Sequence, residues 1–74
     1  PEKRFITEHL TVGGKTVLRE IYALYEKWCM PKMIKPVCQS SLRKEIEEVH
    51  AGTYRKSIRV GKRFHRGFHG ISIR

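Results

Sequence analysis

Seventy-four residues suffice for one small domain with a single core, and a net charge of +9 with a pI near 10.1 points to polyanionic partners. No apolar run is long enough for a membrane span, no signal peptide or lipidation signal is present, and nucleic acid is favoured over a membrane as partner. Two cysteines, Cys29 and Cys38, are too few for a disulfide framework and fit a reducing cytosol as free thiols, which makes the expected location cytoplasmic.

In chain order, residues 2–11 place Phe5, Ile6 and Leu10 among charged residues and read as a short helix stopped by Gly13-Gly14. Lys15 to Leu18 is brief and β-branched, and reads as a small strand. Leu18, Ile21, Tyr22, Tyr25, Trp28 and Cys29 form an apolar stripe at spacings of three, four and seven, which predicts a helix from about Arg19 to Met30. Pro31 and Pro36 bracket a connector. Beyond it, Cys38, Leu42, Ile46 and Val49 define the stripe of a third helix running to about His50, with Gly52 as its stop.

Residues 53–74 contain seven Lys or Arg and no carboxylate, so this segment carries about +7 of the net charge. Tyr54, Ile58, Val60, Phe64, Phe68, Ile71 and Ile73 recur through it around Gly61, Gly67 and Gly70, which predicts a cationic β-hairpin. Helix, small strand, helix, helix, hairpin is the order of an α+β winged helix-turn-helix. In that fold a third helix meets a DNA groove and the hairpin, or wing, meets the adjacent backbone.

On the third helix, Gln39, Ser40, Arg43 and Lys44 lie off the apolar stripe near its start, where a recognition helix approaches base edges. Gln suits adenine and Arg suits guanine, while Ser and Lys commonly hold phosphates. On the hairpin, Arg55, Lys56, Arg59, Lys62, Arg63, His65, Arg66 and His69 are within reach of phosphates or a minor groove. Phe64, near the loop, is expected to be an exposed aromatic able to pack on sugars or bases, and Phe68 to cover the core. Glu45, Glu47 and Glu48, in the later half of the third helix, are expected to face solvent or pair with neighbouring cations.

Gly13-Gly14-Lys15-Thr16 has the closing residues of a nucleotide-binding P-loop, but His9 stands where the first glycine belongs and no strand precedes it; a tight turn into the small strand is expected. Cys29, Cys38, His65 and His69 have poor spacing for zinc. The chain has no Asp and no Asn, which removes the usual magnesium ligands and the usual partner of a catalytic His. The expectation is a binding module without enzymatic activity, metal or cofactor.

The string Tyr22-Ala23-Leu24-Tyr25-Glu26-Lys27-Trp28-Cys29 resembles the Tyr-x-x-Tyr-x-x-Trp-Cys signature of the C-terminal winged-helix module of phage, plasmid and poxvirus-type primase-helicases. Pro36-Val37-Cys38-Gln39-Ser40-Ser41-Leu42 is similar to that family's approach to the third helix, although the family more often has Ser or Thr where Cys38 stands. Phe68-His69-Gly70-Ile71 resembles its closing motif, so the likeness runs from about Val17 to Ile73. The resemblance implies that residues 1–74 are one DNA-binding domain from the C-terminus of a larger replication protein. Helicase and often primase domains would lie upstream, and the module would tether them to duplex DNA in a host cytosol. A winged-helix transcription regulator, a protein-docking module of a replication complex and a small RNA-binding protein remain alternatives.

Overall fold

A computed structural model of the chain describes residues 2–74. It is α+β, with three helices packed on one face of a three-stranded antiparallel sheet. The elements are α1 (Glu2–His9), β1 (Leu10–Val17), α2 (Leu18–Cys29), a 3₁₀ turn (Met30–Lys32), α3 (Gln39–Val49), β2 (Tyr54–Val60) and β3 (Arg63–Ile73). The strands lie in the order β1-β3-β2, so the last strand is the centre of the sheet.

The apolar stripe of α2 becomes the middle of the core. Leu18, Ile21, Tyr25, Trp28 and Cys29 are buried there with Phe5 and Ile6 of α1, Leu42 and Ile46 of α3, and Phe68 and Ile71 of β3. Phe5 meets Tyr25 and Trp28 edge to face, with ring centroids 5.3 and 5.7 Å away. Such pairs add about 0.5–1.5 kcal/mol beyond the area they bury.

Three boundaries differ from expectation. The first helix ends at His9, because Leu10 already pairs with Ile73 across the sheet and the Arg74 N–H donates to the His9 carbonyl at 2.9 Å. The small strand expected at Lys15 to Leu18 is instead the eight-residue β1, and Leu18 belongs to α2. Gly13-Gly14 is neither a helix stop nor a turn: the pair lies inside β1 opposite the single residue Gly70, as a bulge. All three glycines have positive φ (108°, 75° and 108°), which lets the ladder absorb the extra residue without breaking. The same distortion lets Phe68 and Ile71, three apart in β3, both enter the core.

The stripe of α3 is narrower than its spacing implied. Leu42 and Ile46 are fully buried, but Cys38 is exposed at the N-cap and Val49 is 42% exposed at the open end. The hairpin matches its expected extent. Its Gly61-Lys62 loop has positive φ at Gly61 alone, the pattern of a type II′ turn, which suits the twist of the flanking strands.

Candidate nucleic-acid interface

The start of α3 is held from behind by α2. Tyr22 Oη donates to the Val37 carbonyl at 2.8 Å, while the Val37 N–H donates to Tyr25 Oη at 3.1 Å. The Tyr25 hydroxyl in turn donates to a Glu2 carboxylate oxygen at 3.2 Å. Burial raises both phenols above the ordinary tyrosine value, and nearby Glu26 for Tyr22 and Cys29 for Tyr25 add to the rise. Both therefore remain protonated donors at neutral pH. Two hydroxyls one helical turn apart thus grip the backbone immediately before Cys38, which sets the angle at which α3 leaves the connector.

Cys38 caps α3 without a side-chain bond to the helix amides. Its Sγ lies 3.4 Å from Ser40 Oγ and 3.2 Å from Ser41 Oγ. Those hydroxyls, Ser40 first, stabilise the thiolate and lower the thiol to about 7. Here the Ser40 and Ser41 hydroxyls face a side chain, the Cys38 thiol.

From there Gln39, Ser40 and Arg43 face the hairpin across a groove of about 360 Å³, whose other walls are Leu18, Tyr54, Lys56 and Arg66. The Arg43 guanidinium sits over the Tyr54 ring, with Cζ 4.7 Å from its centroid. Tyr54 is itself packed edge to face on Phe68, with centroids 5.6 Å apart. A cation over an aromatic face gains about 0.5–1 kcal/mol when exposed, and here it also restricts where the guanidinium can point. Gln39 and Arg66 continue into an adjoining groove of about 230 Å³ shared with Arg19 and His65.

Strand alternation accounts for the placement of Arg66 and His69. Phe68 points into the core, so Arg66, two residues earlier, shares the helix-bearing side of β3. Residues one step from Phe68 face the opposite side. Lys15 pairs with His69 and Arg55 with Gly67, and Arg55, Arg59 and His69 line a separate groove of about 440 Å³ with Lys15, Ser57 and Ile58. The site residues expected from the sequence therefore divide between two faces. Gln39, Ser40, Arg43, Lys56, His65 and Arg66 are brought together, and Arg55, Arg59 and His69 are not part of that set. Lys44 is exposed one position beyond Arg43 and does not line the groove, while Lys62, Arg63 and Phe64 project at the hairpin tip, with Phe64 66% exposed.

No carboxylate among the described residues lines any of these three grooves. Glu48 is drawn away to Lys3 at 3.6 Å and Glu8 to Arg4 at 3.4 Å. Among the described residues no cluster of three metal-ligating side chains occurs, and no helix is long and apolar enough to cross a membrane. The P-loop-like Lys15 donates instead to the Arg59 carbonyl at 2.8 Å.

Sequence reasoning missed Arg19, Lys15 and the role of Tyr54. Arg19 lies off the apolar stripe of α2, and nothing local indicates that the hairpin passes beside it. Tyr54 was visible only as an apolar strand residue, although an aromatic facing a helix-borne Arg is a usable signal once the pairing is known. No family model, curated protein or solved structure matches the chain.

Proposed function

We propose that this chain is a winged-helix nucleic-acid-binding module. α3 would serve as its recognition helix, the β2–β3 hairpin as its wing, and duplex DNA as its ligand. The observation that carries the reading is the carboxylate-free groove in which Gln39, Ser40 and Arg43 of the helix face Lys56 and Arg66 of the hairpin. A helix start and a cationic ribbon that converge on one side can engage one duplex together, the helix reading base edges and the ribbon neutralising phosphates. The element order, with the final hairpin strand central in the sheet, supports the same reading.

The resemblance to the terminal module of primase-helicases extends the proposal: the domain would anchor a replicative ATPase to its template without itself hydrolysing nucleotide. The tyrosine pair of that signature has a physical reason here, since its spacing places both hydroxyls on the backbone that launches α3.

The experiment is a salt titration of a labelled duplex followed by fluorescence anisotropy. For B-DNA the slope of log affinity on log salt is about −0.9 for each neutralised phosphate. Arg43→Ala/Lys56→Ala/Arg66→Ala is expected to flatten that slope by about 2–3 units and to weaken binding to all sequences. An unchanged slope and affinity in a folded triple variant would reject the interface.

A further inference from the structure

The face of the sheet turned away from the helices is also cationic, and the interface above does not use it. Lys15 of β1, Arg55 and Arg59 of β2 and His69 of β3 surround an open groove of about 440 Å³ with no carboxylate in its lining. The Lys15, Arg55 and Arg59 side chains are already tied to the backbone. Lys15 Nζ is bound to the Arg59 carbonyl, Arg55 Nη1 to the Gly52 and Tyr54 carbonyls at 2.8 and 2.9 Å, and Arg59 Nε to the Gly61 carbonyl at 3.1 Å. Each guanidinium retains further N–H donors, because Arg carries five.

The floor of this face is flattened by Gly67. A Cβ there would lie 2.7 Å from Ile58 Cδ1 and closer still to the Thr16 carbonyl, so the position is closed to any side chain. The one apolar side chain lining this groove, Ile58, is buried, so the groove itself offers no apolar anchor of the kind around which stable protein interfaces are built. What remains is a shallow surface with tethered cations on β1 and β2 and His69 of β3 beside them, and its electrostatic complement is a sugar-phosphate backbone.

We propose that this outer face is a second nucleic-acid-binding surface, so that one domain holds two phosphodiester backbones on opposite sides of its sheet. The inference rests on the reading of the helix-bearing face as a duplex interface. A module with two such faces bridges DNA segments: it would hold a second duplex against the one gripped by α3.

The test uses the complete chain and 12-base-pair duplexes, too short to wrap from one face to the other. Sedimentation equilibrium reads stoichiometry, and energy transfer between donor- and acceptor-labelled duplexes reads bridging. The expected result at low salt is two duplexes per chain with transfer between them. The second step should weaken about 40-fold between 50 and 200 mM salt if three phosphates are neutralised. Lys15→Ala/Arg55→Ala/Arg59→Ala should keep first-duplex affinity within about twofold and abolish transfer. Saturation of the wild-type chain at one duplex would overturn the second surface and leave the first standing, as would undiminished transfer in the outer-face variant. An absence of any duplex binding would remove both.

Discussion

Replacing Tyr25 by Phe deletes one oxygen from the core and tests whether the α2 tyrosines set the start of α3. The hydroxyl is the acceptor for the half-buried Val37 N–H at 3.1 Å and a donor to Glu2 at 3.2 Å. The ring itself remains packed against Phe5 and Trp28, so the cost is that of an amide left without its partner, about 1–2 kcal/mol. In a domain of this length that lowers Tm by about 5–15 °C. Trp28, the only tryptophan and 8% exposed, reports the transition by fluorescence. The pH dependence has a defined sign. Burial raises the Tyr25 phenol in the folded state, so folding favours its neutral form. That stabilisation is complete below the unfolded phenol's value, about pH 10, and is lost as pH rises beyond it toward the higher folded value. Tyr25→Phe should therefore have a shallower alkaline limb than wild type. A Tm within about 1 °C of wild type, with the alkaline limb unchanged, would refute the claim that this hydroxyl holds the Val37 backbone.

Gly67→Ala is expected to destabilise by about 1–3 kcal/mol, measured by urea unfolding, because the new methyl meets Ile58 and the Thr16 carbonyl on a central strand. The chain's two thiols should separate kinetically. Exposed Cys38, lowered to about 7 by the Ser40 and Ser41 hydroxyls, is expected to react with an aromatic disulfide at neutral pH, and buried Cys29 only on unfolding. Ser40→Ala/Ser41→Ala should then move the midpoint of the Cys38 rate-pH profile upward; an unmoved midpoint would discount the hydroxyls.

Much of the helical architecture was legible because helix burial is a local, periodic property. Ile21, Tyr25, Trp28 and Cys29 of α2 and Leu42 and Ile46 of α3 recur at three and four residues, and all are buried. Phe68 inside and Phe64 outside followed from their distances to the hairpin loop, and both lie where that argument placed them. One glycine pair misled. Gly13-Gly14 has the local chemistry of a stop, and only pairing with β3 turns it into a bulge that continues the strand. Val49 extended the stripe of α3 on paper, yet the helix ends there and the side chain is 42% exposed.

From composition and periodicity alone came the three helices, the hairpin and the concentration of positive charge in residues 53–74. Which cations act together was decided by tertiary structure. Arg55 and Lys56 are adjacent in the chain, but one lines the outer groove and the other the groove beneath α3. The reason is geometric. A strand residue's side depends on register, a single bulge reverses it, and β2 and β1 each contain one whose position is set by pairing with a distant segment.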